Sequence, residues 1–443
     1  MSHAASHAGH GQRRGHADDH NDHDHVIRID PASVEAPAAW GGTLSTLLIF
    51  LGFAGLVVTV FGGYAAAGEH FEGVIHATGS WLVGALFCIT LSLGALGLTM
   101  IFHQFNAGWS VTARRQLENM ASLFPVCLAI FAPVLLVELF ITKGGLYHWM
   151  HRFLVEAEPG AHVDTLLVKK ENFLNIPFFL IRAAAYFGVW IYLGRRMFTL
   201  SRTQDSTGDR GLTVKARFTS AWGLLAFALT TAFAGFDWAM STDPHFYSTM
   251  WGVYFFAGSI LSATAMLVLI LSLLRAKGKL IGLVTDEHFH DLGKLLLSFT
   301  VFWAYISFSQ YFLIWYSNIP EETSWYIHRR QHGWQNLGFV LCVGHFVVPF
   351  LFLLFRGTKK SILAMIVVSL WILTMHVGDL FYIIRPEVYD AKMGLDLWWI
   401  DLGGVLGPIL LYAGALLRKA ASGPLIPLKD PRLAEALAHK NYI

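Results

Sequence analysis

The stretch Thr231–Phe256, TAFAGFDWAMSTDPHFYSTMWGVYFF, gives the clearest indication of the fold. An apolar segment leads into Asp237, a short polar segment follows as far as His245, and apolar sequence resumes at Met250. The stretch contains no Lys or Arg. This pattern predicts two membrane helices joined by a tight turn, with ionisable side chains at one membrane face. Because an ionisable group inside a membrane span is costly, each such residue is a functional candidate.

The composition of the whole chain is that of a polytopic membrane protein. Its 443 residues are 55% hydrophobic and 14% charged, whereas an average soluble protein carries about 25% charged residues. The net charge of +2 gives no indication of a nucleic-acid partner. The three cysteines are isolated in apolar segments and form no CxxC motif. We therefore expect no iron–sulfur cluster, c-type haem or structural zinc on this chain, and we predict no metal ligands.

Ten apolar stretches follow the first 39 residues, and each is near the ~20 residues that cross a hydrocarbon core. They are too long for strands, so the predicted fold class is an all-α integral membrane protein. We expect two four-helix bundles, made of spans 2–5 and 6–9, with spans 1 and 10 at the periphery. The predicted spans are 43–66, 80–102, 121–142, 175–198, 218–240, 250–275, 293–316, 335–356, 361–384 and 397–418.

The spans divide the chain into six regions: a tail (1–39), the first helix and its loop (40–79), the first bundle (80–240), the second bundle (241–384), the tenth helix (385–418) and a second tail (419–443). The first tail contains seven histidines, a composition able to bind divalent metal, but its polarity favours a disordered, solvated segment. For the second tail we expect solvation, with docking to a partner subunit as the alternative.

The Lys and Arg residues of the loops predict the orientation of the bundle. Positive charges concentrate in the loops after spans 2, 4, 6 and 8, and the loops after spans 1 and 5 have none. By the positive-inside rule both termini are expected in the cytoplasm, and the turn from Asp237 to His245 is expected outside. The first 39 residues have no apolar core of a secretory signal.

A set of polar residues falls inside the predicted spans: Glu138, Arg182, Asp237, Gln310, His345, His376, Asp379 and Asp401. His376 and Asp379 are three residues apart and therefore share one helix face. Carboxylates and imidazoles in a low-dielectric site suit proton transfer or quinol oxidation, which releases two protons. Tyr305, Gln310 and Tyr311 are the candidate quinone-binding residues. The flat rings of the two tyrosines could flank a quinone.

Other roles for these residues stay open at this point. Arg182 could form a structural ion pair with Glu138 or Asp379, since buried charges are normally paired. Asp237 and Asp401 could lie high enough in the membrane to be hydrated. His345 and His376 could ligate one haem b, although a di-haem bundle needs two such pairs. Our working hypothesis is that Asp379 and His376 exchange protons and that Asp237 and Asp401 complete an outward-opening half-path.

Two long motifs resemble a known family. FDWAMSTDPHFYSTMWGVYFFAG (236–258) and FWAYISFSQYFLIWYSNIPEETSWY (302–326) are similar to the NrfD/polysulfide-reductase-like membrane subunits of bacterial alternative complex III. That complex has two such subunits. The ten spans, the His-rich start and HDLGKLLLSFTVFWAY (290–305) look most like the second of them, a quinone-binding type. The resemblance covers nearly the whole chain after residue 40.

The resemblance implies a cofactor-free subunit of a quinol:electron-acceptor oxidoreductase in the bacterial cytoplasmic membrane. Quinol, such as menaquinol, would be the substrate of the complex, with cytochrome c or a terminal oxidase as acceptor. The implied partners are a paralogous NrfD-like subunit, an iron–sulfur subunit and multi-haem cytochrome c subunits, in contact with membrane lipid and not with nucleic acid. The alternatives are a purely structural anchor and a stand-alone secondary transporter, although the chain lacks the matching Gly- or Pro-broken helices that transporters use.

Overall fold

The computed structural model describes residues 29–66, 71–154, 164–388 and 397–441. Within these ranges there is no strand, and ten helices are long and apolar enough to cross a membrane. The chain is therefore an all-α multi-pass membrane protein, as the sequence predicts. The ten helices are α1 (Ala38–Ala65), α2 (Glu72–Gln104), α3 (Gly108–Phe140), α4 (Ile176–Thr207), α5 (Gly211–Thr242), α6 (Trp251–Ala276), α7 (Asp286–Ser317), α8 (Trp334–Leu354), α9 (Ile362–Glu387) and α10 (Trp398–Ala420).

Every predicted span coincides with one helix, but several helices begin earlier than predicted. Helix α2 begins at Glu72 instead of residue 80, and α7 begins at Asp286 instead of residue 293. A capping box sets the start of α7, because the Thr285 backbone N–H donates to the Nδ1 atom of His288 at 3.1 Å. Hydropathy detects the part of a helix in hydrocarbon and misses the polar turns that extend beyond it.

Helices α2–α5 form the first four-helix bundle and α6–α9 form the second. The bundles meet where α2 packs against α6, and nearly all side chains of both helices are buried. This crossing is close because Gly94 of α2 lies against the backbone of Ser259 in α6. The centre of the molecule is thus a tight contact between two helix backbones.

Helices α1 and α10 pair with each other at the periphery and pack together on α2. Their contact is built from glycines: Gly403 and Gly407 of α10 face Gly55 and Gly52 of α1, so that the two backbones touch. Small residues four apart are the usual means of close helix contact in membranes, where apolar side chains gain nothing from leaving lipid.

The segments near both termini pack together at one end of the molecule, here named the terminal end. The Leu425 N–H donates to the carbonyl of Val34 at 2.8 Å, and Leu425 and Ile426 are fully buried. The expectation of a solvated C-terminal tail is therefore wrong. Residues 1–28, which hold the histidines, lie outside the described residues, but the predicted disordered tail is too long, because Pro31–Val34 is a packed helix.

A buried charge network explains why the C-terminal segment docks. Arg114 donates to Glu118 at 3.1 Å and pairs with Asp430 at 2.5 Å, and Arg115 pairs with Asp205 at 2.7 Å. Loop charges predict that both arginines lie in a cytoplasmic loop, whereas the structure buries them in α3. The C-terminal segment supplies a carboxylate that these buried cations need.

Candidate functional site

Asp379 is the centre of a buried polar cluster in the second bundle. It lies on α9 with 3% of its surface exposed, so the predicted inward face of α9 is confirmed. The Tyr254 hydroxyl of α6 donates to one carboxylate oxygen, and the Trp303 indole N–H of α7 donates to the other at 3.3 Å. Among the residues that the structure describes, no cation pairs with Asp379. A carboxyl group in this setting has two neutral donors and no countercharge.

His345 contacts Trp303, which binds this carboxyl group, and it lies in an unusual turn of α8. The segment Cys342–Val347 is a π-helix, in which the Val348 N–H bonds to the carbonyl of Val343, five residues earlier. In that register the carbonyl of Gly344 would face the nitrogen of Pro349, which carries no N–H. The Trp371 indole N–H donates to this freed carbonyl at 2.6 Å. Such π-turns are frequent at functional sites.

The two histidines of the cluster are close together. The His345 ring lies 4.0 Å from the ring of Trp303 and 6.3 Å from the ring of His376, centroid to centroid. The Nε2 atom of His376 is 3.0 Å from the hydroxyl of Thr90 in α2. Gly258 leaves room for His376, since a Cβ there would lie 3.0 Å from its ring. The cluster therefore spans α2, α6, α7, α8 and α9.

Three buried ring nitrogens of this cluster lack a protein partner in the described chain. They are Nδ1 and Nε2 of His345 and Nδ1 of His376. Buried polar atoms without a protein partner are usually satisfied by ordered water, which needs a polar site with two or more partners. The ring nitrogens of the two neighbouring histidines, whose centroids are 6.3 Å apart, are candidate partners for such a water. Chemically, the cluster can accept, hold and pass on a proton.

Arg182 and Asp237 form a separate group in the first bundle. The Arg182 guanidinium donates to both oxygens of Asp237, at 2.8 and 2.7 Å, and the Tyr186 hydroxyl donates to the same carboxylate at 2.7 Å. Arg182 is thus paired, but its partner is neither Glu138 nor Asp379. Asp237 is fully buried, so the alternative that it is hydrated is wrong. A carboxylate held by a bidentate guanidinium makes two charge-assisted hydrogen bonds, the arrangement of a structural ion pair.

Glu138 holds a loop. It is fully buried and accepts hydrogen bonds from the Thr142 hydroxyl at 2.7 Å and from the backbone N–H groups of Leu146 and Tyr147, at 2.9 and 3.2 Å. These donors all belong to the segment that follows α3. The contacts fit a role in shaping that connection more directly than a role in a proton path.

Asp401 belongs to a third group, at the junction of α2, α9 and α10. It accepts from the Ser80 hydroxyl, lies 3.0 Å from Nε2 of His76 and pairs with Arg385 at 3.5 Å. Its side chain is 17% exposed. Asp237, Asp379 and Asp401 therefore lie in three distinct hydrogen-bonded groups, which does not match the single half-path expected from the sequence.

The predicted quinone-binding residues do not converge on one cavity. Gln310 accepts from the Ser248 hydroxyl at 2.9 Å and donates to the Tyr326 hydroxyl at 3.3 Å. The Tyr311 hydroxyl accepts from Arg330 at 2.9 Å. Tyr305 is 64% exposed, whereas Gln310 is buried. Gln310 and Tyr311 thus share the neighbourhood of Tyr326, and Tyr305 lies on the exposed surface of α7.

A polar cavity of about 490 Å³ lies at the end of the molecule opposite the terminal end. Among its lining residues is His245, whose Nε2 atom is 2.6 Å from the carboxylate of Asp164. Partial burial opposes ionisation of Asp164, but hydrogen bonds from His245 and from two backbone N–H groups outweigh it and hold the pKa of Asp164 below its ordinary value. This contact ties the loop before α4 to the connection between the bundles.

Comparison with known proteins adds no information about these sites, so their chemistry is argued from their geometry alone. Comparison with protein-family models and with curated proteins finds no match to this chain. In the described ranges no group of three His, Cys, Asp or Glu side chains is arranged to hold a metal ion.

The sequence pointed to His345, His376 and Asp379 but missed Tyr254, Trp303 and Thr90. Pro349, placed four residues after His345 in an apolar span, is the available sign of the π-turn.

Proposed function

We propose that this chain is a cofactor-free membrane subunit of a quinol:electron-acceptor oxidoreductase complex in the bacterial cytoplasmic membrane, and that its second bundle conducts protons. The observation that carries the proton role is Asp379, a buried carboxyl group without a countercharge among the described residues. A carboxyl group in that setting gains and loses a proton near neutral pH far more readily than an ion-paired one. The quinol part of the proposal rests on the two resemblance motifs.

Further buried polar groups support a proton route between Asp379 and the terminal end. Ser272 of α6, Thr300 of α7 and Ser369 of α9 are buried, and their hydroxyls lack a hydrogen-bond partner in the described chain. All three lie on the terminal side of the cluster, and His288 near the start of α7 has an unpartnered Nε2 atom. Ordered water at these groups would connect the terminal end to His345 and Asp379. We therefore replace the outward half-path with a route that opens at the terminal end.

In this proposal the electron carriers belong to other subunits. Haem c and iron–sulfur clusters would be held by a multi-haem cytochrome c and an iron–sulfur partner, next to a paralogous membrane subunit. Quinol would meet this chain near Gln310 and Tyr311, which lie about two helical turns beyond Trp303 on α7. The termini would lie in the cytoplasm, as the loop charges predict.

Replacing Asp379 by Asn is expected to leave the complex assembled and to slow it. The Asn side chain retains an oxygen for Tyr254 or Trp303, so the packing of α6, α7 and α9 should persist. It cannot ionise, and loss of a proton-transferring group typically costs about 10²-fold or more in rate. The measurement is quinol:acceptor turnover of the purified complex, with subunit stoichiometry determined in the same preparation.

Asp379→Glu serves as the matched control, because it keeps an ionisable carboxyl group on a side chain that is one methylene longer. It should retain a substantial part of the activity. Normal turnover and normal proton release in the Asn variant would rule out the proton role.

Purification also separates the functional classes, since a stand-alone transporter would be isolated without haem-bearing partners.

A further inference from the structure

A basic cluster lies at the terminal end of the second bundle, where α7, the α8–α9 connection and the lipid boundary meet. It consists of His290, Lys294, Arg356, Lys359 and Lys360. The helix Arg356–Lys360 packs against α7, and the stem of Lys359 lies over Gly293, where a Cβ would come within 2.6 Å of it. His290 is one turn before Gly293 on the same face of α7.

Lys359 is the unusual member of this cluster. It is 6% exposed and makes no hydrogen bond or ion pair with any described residue. Burial, reinforced by the nearby charge of Lys294, lowers the pKa of Lys359. The stem of Lys359 is covered by α7, and its ammonium group, which has no partner in the described chain and has other cations nearby, is a candidate ligand for an anion.

Each carboxylate of the neighbourhood already pairs with one cation, and the Oε2 atom of Glu287 has no hydrogen-bond partner in the described chain. Glu287 binds Lys360, and Asp291 accepts from Lys294 at 2.9 Å and from His439 at 2.5 Å. Arg356 is exposed and makes no direct ion pair in the described chain. The cluster thus has two cations, Lys359 and Arg356, in excess of its carboxylates.

A second observation points to a ligand at the same place. His290 is 6% exposed, and its Nδ1 atom has no hydrogen-bond partner among the described residues. A neutral imidazole nitrogen that carries a proton would donate to an anion held by Lys359. The three groups lie on α7 and on the short helix Arg356–Lys360 that packs against it, so one oxyanion at this contact would have several donors nearby.

The surface beside the cluster indicates where the anion comes from. Phe352 and Phe355, at the end of α8, are 38% and 68% exposed, and Leu363, at the start of α9, is 71% exposed. These exposed apolar side chains lie at the ends of two membrane-spanning helices and close in sequence to Arg356 and Lys359. An anion with attached acyl chains would satisfy both surfaces, whereas free phosphate would satisfy one.

We propose that Lys359, Arg356 and His290 form a binding site for the phosphate head group of an anionic phospholipid, with its acyl chains on Phe352, Phe355 and Leu363. The site would lie in the leaflet at the terminal end, where the positive charges of the loops concentrate. The lipid would neutralise the unpaired ammonium group of Lys359 and link α7 to the α8–α9 connection. This role is independent of proton conduction.

The test is lipid binding by the full chain, purified in neutral detergent with the subunits that copurify. Phosphatidylglycerol is titrated and bound lipid is counted by native mass spectrometry. The variant Lys359→Met/Arg356→Gln keeps the stem over Gly293 and removes both charges. Each cation near the surface is worth about five-fold in affinity, so we expect binding to weaken roughly 25-fold.

The matched control is Arg210→Gln/Lys277→Gln, which removes two exposed cations from the same end of the molecule and should leave binding unchanged. A thermal unfolding scan adds a second readout. Phosphatidylglycerol should raise the unfolding temperature of the native protein and of the control, but not that of the Lys359 variant. Without anionic lipid the Lys359 variant should be at least as stable as the native protein, because the unpaired charge is gone.

Three results would overturn the proposal. The Lys359 variant could bind phosphatidylglycerol as tightly as the native protein. Phosphatidylcholine could bind with equal affinity, which would remove the requirement for a negative head group. Inorganic phosphate could give the same gain in unfolding temperature as the lipid, which would show a site for a free anion.

Discussion

Replacing Asp237 by Ala should nearly abolish the assembled protein in the membrane. The change leaves the Arg182 guanidinium buried without its carboxylate and also removes the acceptor of the Tyr186 hydroxyl. Breaking a buried ion pair by removing one partner typically costs about 3–5 kcal/mol, which is a large part of the stability of most proteins. The measurement is the yield of folded protein and its thermal unfolding in detergent, with the exposed carboxylate of Glu321 replaced by Ala as the control.

A double variant separates a structural pair from a proton carrier. Arg182→Met/Asp237→Leu removes both charges together, so it should recover much of the stability that either single change loses. It should also retain turnover, because the pair lies outside the Asp379 cluster. Recovered folding with abolished turnover would contradict this account and would return Asp237 to the proton path.

Replacing Gly94 by Ala should be the most damaging Gly-to-Ala change among the glycines that the structure describes. A Cβ at this position would lie 1.9 Å from the carbonyl oxygen of Ser259 and 2.6 Å from the Cβ of Ala263. Because the first of these atoms is backbone, α2 and α6 would have to separate along the contact that joins the bundles. Overpacking typically costs about 1–3 kcal/mol, and we expect the upper end of that range or more.

Gly188 provides the matched comparison for this prediction. It lies on the exposed face of α4, and a Cβ there would meet nothing within 4 Å. Gly188→Ala should therefore be neutral or stabilising, because Ala is favoured over Gly in a helix by about 1 kcal/mol. Equal unfolding temperatures for the two variants would show that the α2–α6 contact is looser than described.

The membrane spans were predictable because hydropathy over about 20 residues reports the membrane directly. The docked terminal segments were not, since their burial depends on residues far apart in the sequence. Arg114 illustrates this: in the sequence it is an ordinary loop cation, and its partner Asp430 lies in a segment whose composition suggests solvation. Charge counts near spans cannot tell an exposed loop cation from a buried one.

The candidate site was predictable only in part, because spacing within one helix can be read from the sequence but the choice of neighbouring helices cannot. His376 and Asp379 share a helix face, and the cost of placing a carboxyl group in lipid turns that face inward, as the structure shows. The choice among Glu138, Asp237 and Asp379 as partner of Arg182 depends on which helices are neighbours, and periodicity carries no such information. Tyr254 and Trp303 were overlooked because tyrosine and tryptophan in spans are mostly interfacial anchors.

The central claim is that Asp379 changes its protonation state during turnover. The most direct measurement is infrared difference spectroscopy of the complex between its quinol-reduced and oxidised forms. We predict a carboxylic acid C=O band that is lost in Asp379→Asn and shifted in Tyr254→Phe, because Tyr254 donates a hydrogen bond to that carboxyl group. Difference spectra of the native protein and Asp379→Asn that are identical in this region would contradict the claim.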